Sequence, residues 1–309
     1  MIPRSRTLRL PGTPRPAPGT TIAAGHELKR ADARTWLWAL VATLGTWQRQ
    51  WVFFFPNLLI NTLGTVAQIA IFYLMARHVA AGAAPFLKEY GGRFEAYILL
   101  GIVLNGFLAA SLTAYYNAYG EGYWANIFEL FVTHPLGVSA FMASSVLFRY
   151  LVETFNLALY LGIGVLLFGV SLGAANYGAF LGLLVLAVIA VTGLGLMAAS
   201  TFTLLNSKGW GNPVTWAVTF LTGIVAGVYF PPEVLPAWVR GIGDWLPQTF
   251  ALHAGRLALL QGAGWEFPAI RADVQRLLLL SALYLPLGLL LFRASLRKAE
   301  REGSLTRWN

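Results

Sequence analysis

The side chains that do acid–base, nucleophilic or metal chemistry are sparse in this sequence. Its four histidines, His26, His78, His134 and His253, are scattered, and none stands at metal-ligand spacing. Catalysis needs clustered carboxylates and histidines, or a nucleophile beside a base, and no such cluster is evident. The chain has no cysteine, which excludes disulfides and thiolate metal sites. Two close pairs remain. His253 and Arg256 share one helical face, where they either guide an anionic substrate or snorkel toward headgroups, the plainer reading. Arg149 and Glu153 have the spacing of a helical ion pair. At membrane depth such groups face the protein interior, which favours a structural pair over a substrate contact.

The elements that hold these residues are apolar. Of 309 residues, 57% are hydrophobic and 11% charged, against about 25% charged in an ordinary soluble domain. A bilayer core about 30 Å thick needs about 20 mostly apolar residues per helix. Residues 51–75 and 96–119 meet that length without a charge, and the uncharged run 154–207 is long enough for two spans joined by a turn at GAANYG, residues 173–178. Residues 210–230 make a fifth span; residues 277–292, bounded by Arg276 and Arg293, make a sixth. Barrel-type alternation is absent, so the spans are helices and the expected fold class is an all-α polytopic membrane protein. Six spans put both termini on one side, with fourteen of the 22 Lys and Arg there and seven on the other, so that side is expected to be cytoplasmic. The net charge of +9 suits an anionic inner leaflet and makes nucleic acid an unneeded hypothesis.

Residues 1–33 are basic and rich in Pro and Thr without an apolar core, which predicts a disordered tail rather than a signal peptide. In RTWLWALVATLGTWQRQ, residues 34–50, the apolar residues recur at helical spacing between Arg34 and Arg49, which suits an interfacial helix or a longer, tilted first span. Between spans two and three, GEGYWANIFELFVTHPLGVSAF carries Glu121, Glu129 and an aromatic run but no Lys or Arg. Such a cytoplasmic segment is either an amphipathic turn or a surface covered by another protein, with aromatics as anchors. After span five, YFPPEVLPAWVRGIGDWLPQTF brings four prolines: Pro231 and Pro232 are expected to stop the helix, and Trp238 and Trp245 to sit in the aromatic belt. QTFALHAGRLALLQG, residues 248–262, is too short to cross and reads as a re-entrant helix, packed as a lid or lining the exit of a pathway.

Two stretches carry a family resemblance. IFELFVTHPLGVSAFMASSVL, with Glu129, Leu130, Pro135 and Leu136, and GVYFPPEVLPAWVRGIGDWLPQTFALHAGRLALLQG, with Phe230, Pro231, Leu235, Pro236, Trp238, Pro247 and Arg256, resemble the ABC-2 type permeases, the membrane subunits of ATP-driven exporters. The similarity runs over residues 34–297 and leaves 298–309 as a cytoplasmic tail. It implies an interfacial helix, six spans, a cytoplasmic coupling helix and an extracellular re-entrant segment between spans five and six. It also implies that Tyr123, Trp124, Phe128, Glu129, Leu130, Phe131, His134 and Pro135 dock on an ABC ATPase (nucleotide-binding) subunit. The chain departs from the family in having no basic residue in that coupling region.

The motor is expected on a separate subunit because no G-x-x-x-x-G-K-[ST] loop occurs; NSKGWGNP, residues 206–213, is a plain turn. No cofactor is expected on this chain, with ATP and Mg on the partner. The implied protein is a permease subunit in a bacterial cytoplasmic (inner) membrane, paired with a second permease copy or a homologue. Its substrate would be amphipathic: a drug-like molecule, a lipid or a lipid-linked glycan. Candidates along the path or re-entrant segment are Tyr115, Tyr116, Tyr119, Pro231, Pro236, Trp238, Trp245, Pro247, His253 and Arg256. The alternative is an ion-coupled secondary transporter or channel, which wants ionisable residues at mid-membrane, where only Arg149 and Glu153 come close. Glycines in LGIGVLLFG and VTGLGL allow close packing, inside one chain or between two.

Overall fold

The computed structural model describes residues 51–83, 90, 94–124, 128, 137–205 and 212–302. The expected tail, interfacial helix and residues 206–211 lie outside them. The described chain is all helical, without strands: α1 (Trp51–Ala83), α2 (Phe94–Trp124), α3 (Gly137–Phe168), α4 (Tyr177–Leu204), α5 (Pro213–Val225), α6 (Ala237–Gly243), α7 (Pro247–Leu260) and α8 (Pro268–Glu302). A 3₁₀ turn, Pro232–Val234, precedes α6. Four helical stretches are long and apolar enough to cross a membrane: α2, Phe141–Phe168 within α3, α4 and α8. The apolar part of α1, Leu58–Leu74, and the 13-residue α5 are shorter.

Helix α2 is central. Of its apolar window 72% is buried, against 17% for α3, so α2 is wrapped by protein while α3 faces outward. The apolar face of α3 shows Leu151, Phe155, Leu166 and Leu167, and that of α5 shows Trp216 stacked on Phe220 at 5.5 Å. In lipid, tails are as apolar as leucine, so helices associate through close van der Waals packing and small residues rather than by escaping water. The contact between α4 and α8 shows this. A Cβ at Gly193 would lie 2.4 Å from the Tyr284 carbonyl carbon, and one at Gly288 would lie 2.3 Å from the Gly193 oxygen. The glycines of VTGLGL therefore serve packing inside the chain, Gly195 likewise meeting the backbone of α2. Gly193→Ala is expected to cost about 1–3 kcal/mol, read as a lower thermal midpoint in detergent. Gly162→Ala, where a Cβ meets nothing within 4 Å, is expected to leave the midpoint unchanged or slightly raised.

The ends are set by local chemistry. Asn176 caps α4, its side chain accepting from Ala179 N at 3.0 Å. Asn212 caps α5 through Thr215 N at 3.0 Å and donates from Nδ2 to Ala198 O at 2.8 Å, tying α5 to α4. Helix α8 is much longer than the apolar run within it: it begins at Pro268 and carries Arg271, Asp273 and Arg276 in its first turns.

Candidate functional site

Helix α7 is 14 residues long, about 21 Å at 1.5 Å per residue, short of a bilayer. Pro247 starts it, its fixed φ suited to the first helical position. Gly262, with φ 67°, ends it, and Ala263 N returns to Leu257 O at 3.2 Å. Most of its residues are buried, against α2, α4 and α8. An apolar helix too short to cross is compatible with a membrane only when enclosed in this way.

Arg256 is the centre of that enclosure. It is 1% exposed. Its Nε donates to Tyr97 O at 3.1 Å, and its Nη2 to Gly227 O at 2.8 Å and Val228 O at 3.1 Å. Its guanidinium carbon stands 3.7 Å from the centroid of the Tyr97 ring. The Tyr97 hydroxyl donates to Gly227 O at 2.8 Å. The reason lies in α5. That helix stops at Val225, and residues 226–230 are bent, with Gly227 at φ 77°. Unwinding frees backbone carbonyls, each costly to bury without a donor. Arg256 and Tyr97 supply the donors. Gly101 makes room: a Cβ there would lie 2.1 Å from Val228 O and 2.3 Å from Arg256 Nη2.

Two expectations are corrected here. Arg256 neither snorkels nor reaches for an anion, because all its described hydrogen bonds go to main-chain carbonyls. Pro231 and Pro232 do not stop the fifth helix; it has ended several residues earlier, where Gly227 turns the chain. Pro231 and Pro247 are buried, Pro236 is exposed, and Trp238 and Trp245 are exposed. His253 does not act with Arg256: its Nδ1 meets Asp273 Oδ2 of α8 at 2.5 Å. Both line a pocket of about 230 Å³ at this pole, with Tyr90, Glu233, Arg240 and Asp244.

The opposite pole gathers the C-termini of α2, α4 and α8 with the start of α3. Tyr119, Phe128 and Phe202 are almost wholly buried there, Tyr123 and Phe141 nearly so. The Tyr119 ring packs on Phe128 at 5.2 Å and on Phe202 at 5.0 Å, and its hydroxyl bonds Thr203 Oγ1 at 2.9 Å. Tyr116 packs on Phe202 at 5.7 Å, and Tyr115 lies beside Gly195. Tyr119 is thus part of a core rather than the wall of a path. Tyr123 and Phe128, expected as anchors for a partner, face this chain's own core; Trp124 is 47% exposed. Glu129, Leu130, Phe131, His134 and Pro135 lie outside the described residues.

The Arg149–Glu153 expectation is also corrected. Arg149 Nη2 donates to Glu121 Oε1, joining α3 to α2, while Glu153 Oε2 accepts from Asn156 Nδ2 at 3.3 Å. Helical spacing cannot reveal a partner 28 residues away. A double-mutant cycle on Glu121→Gln and Arg149→Gln is expected to give a coupling of roughly 0.2–1 kcal/mol in thermal unfolding, small because such pairs are water-screened. The same cycle on Arg149 and Glu153 is expected to give a smaller one. Among the described residues, no three His, Cys, Asp or Glu side chains converge as metal ligands.

Sequence reading missed Tyr97, Gly101 and Asp273. Only Asp273 left a signal, as a lone acid between Arg271 and Arg276 at the mouth of an apolar run. Residues 125–260 match the family model described as ABC-2 type transporter, a stretch that runs from the segment after Trp124 to the end of α7. No curated protein matches the chain.

Proposed function

We propose that this chain, in which residues 125–260 form an ABC-2 type transporter domain, is the permease subunit of an ATP-driven exporter. The domain match is the observation that carries the reading. It takes in Phe128 and the start of α3 at one pole and the enclosed α7 at the other. The chain is an apolar multi-pass membrane protein, and its sequence has no phosphate-binding loop, so ATP and Mg belong to a separate ATPase subunit.

In this reading α1 and α5 complete a six-span layout. The short helix α5, about 20 Å long, is extended through the bilayer by residues 226–231, where Arg256 satisfies the carbonyls of Gly227 and Val228. Helix α7 is the re-entrant segment on the outer side, and the α2–α3 connection faces the cytosol with both termini, in a bacterial cytoplasmic membrane. Two permease copies, or this chain and a homologue, enclose the path. ATP-driven closure of the ATPase pair presses on the region around Trp124 and rocks the permeases apart. The substrate is amphipathic, consistent with apolar helix faces beside a polar outer pocket.

The test is purification with a co-expressed ATPase subunit, followed by ATP hydrolysis and substrate flux in proteoliposomes. Retention of the subunit, with flux that stops when its ATP site is inactivated, is the expected result. Flux driven by an ion gradient without any ATPase overturns it in favour of a secondary transporter.

A further inference from the structure

We propose that Glu153 and Asn156 form an intramembrane site for the ammonium head of an amphipathic amine. Glu153 stands near the middle of the apolar stretch Phe141–Phe168 of α3, roughly 18 Å in from Phe141 at 1.5 Å per residue. A carboxyl group at that depth is expensive, and membrane proteins that keep one use it on a substrate or ion path. The cation that helical spacing offers is already engaged: Arg149 Nη2 donates to Glu121 Oε1 and acts on Glu153 only through space. Two carboxylates and one guanidinium leave one negative charge unanswered. Among the described residues, Asn156 is the one hydrogen-bond partner of Glu153, its Nδ2 donating to Oε2 at 3.3 Å. Asn156 is 9% exposed, and its Oδ1 is buried without a partner. Leaving such an acceptor unmade costs its full desolvation. Glu153 Oε1 and Asn156 Oδ1 therefore both call for donors, and the first calls for a positive charge as well. An ammonium group supplies both, through charge-assisted N–H bonds.

The surroundings fix the rest of the ligand. On α3, Met142, Val146, Arg149, Glu153, Leu157 and Tyr160 recur at steps of three or four, so they share one helical face. Met142, Val146 and Leu157 are buried while Glu153 is half-buried, so this protein-facing stripe opens at the level of the carboxylate. The Arg149–Glu121 pair sets the register against α2, and one turn inward on that helix stands Asn117, also half-buried. Beyond Glu153 the stripe runs on through Leu157 and the half-buried Tyr160, a surface suited to an apolar body. A hard divalent cation takes about six oxygens, and no three His, Cys, Asp or Glu side chains converge among the described residues. The fitting ligand is thus an organic cation. As a substrate contact, the site rests on the exporter reading and narrows its amphipathic substrate to an amine.

The experiment titrates dansylcadaverine, a primary amine on a fluorescent apolar body, into the full chain in phosphatidylcholine nanodiscs without ATPase. Empty nanodiscs are the blank. Two relatives change the head: the N-acetylated probe is neutral, and dansyl-aminohexanoate is anionic. The expected result is saturable binding of the amine, at least about tenfold tighter than either relative, the worth of one hydrogen bond to a charged group. Glu153→Gln is expected to abolish that preference and leave the neutral probe unchanged, while Glu153→Asp keeps part of it. Asn156→Leu is expected to weaken the amine about threefold. A parent that binds the three probes alike overturns the site. A preference that survives Glu153→Gln also overturns it, placing the cation elsewhere, as in the outer pocket with Glu233 and Asp244. Should the Glu153 variants fail to fold, the double variant Glu233→Gln, Asp244→Asn decides: a retained preference supports the site, and a lost one overturns it. Adding phosphatidylethanolamine to the nanodiscs separates the two sources of an ammonium head. An unchanged affinity supports a substrate amine, and competition overturns that assignment in favour of the lipid. Because neither ATPase nor flux enters, failure of the site leaves the exporter reading standing, and failure of the exporter reading leaves the site.

Discussion

Arg256→Ala is expected to be the most damaging single substitution in the described chain. It removes a cation that is 1% exposed and strands the Val228 carbonyl in an apolar interior, while Tyr97 O, inside α2, and Gly227 O, which keeps the Tyr97 hydroxyl, each lose one donor. A stranded acceptor costs about 1–3 kcal/mol, less whatever water can enter; a total loss of roughly 3–5 kcal/mol matches the breaking of a buried charged network. The measurement is thermal unfolding of purified protein in detergent or nanodiscs, read as a lower midpoint. Arg256→Lys is expected to recover only part of the loss, since one ammonium cannot reproduce a planar fork that serves three carbonyls at once. Arg240→Ala, exposed at the mouth of the same pocket, is expected to stay within about 0.5 kcal/mol. If Arg256 only guided substrate, its removal would leave the midpoint untouched and change flux alone.

The second large effect separates surface from core at the opposite pole. Trp124 is 47% exposed, while Phe128 is completely buried against Tyr119 and Phe141. On the proposed coupling role, Trp124→Ala is expected to leave the thermal midpoint near that of the parent. It is expected to weaken association with the ATPase subunit by about 2 kcal/mol, close to 30-fold, the size of an aromatic hot spot. Phe128→Ala is expected to do the reverse first, losing about 3–5 kcal/mol of stability through the cavity it leaves. Titration of the purified permease with ATPase subunit, beside thermal unfolding of each variant, resolves the two.

Much of the helical frame is visible in the sequence because an uncharged apolar run must be helical inside a bilayer. Residues 96–119 become α2, and 154–207 split into parts of α3 and α4 around the expected turn, with Asn176 as the cap. What composition hides is anything decided by a partner distant in sequence. The end of α5 is one case. Pro231 and Pro232 look like the stop, yet the helix yields at Gly227 because Arg256, 29 residues on, takes the carbonyl. The length of α8 is another: Arg276 reads as the boundary of the last apolar run, but the helix begins at Pro268 and runs through Arg271, Asp273, which meets His253, and Arg276.

Burial is the third hidden quantity. Tyr123, Trp124 and Phe128 look alike as a run of aromatics beside two glutamates. Only the fold shows that Gly122 gives the Phe128 ring its place, with a would-be Cβ at 2.3 Å, and that Trp124 alone of the three faces outward. Arg149 and Glu153 satisfy every rule of helical spacing, and a nearer alternative, Glu121 across the helix contact, takes the guanidinium. In each case the residue type was legible and its partner was not.

The central claim is that an apolar chain without a motor takes its force through the pole that carries Trp124. A photo-cross-linking amino acid at position 124, in cells that express the ATPase subunit, tests this directly. The expected adduct is one between permease and ATPase, formed in intact cells and lost when the ATPase subunit is omitted. An adduct with an extracytoplasmic protein, or none with the ATPase while the two still copurify, contradicts the account.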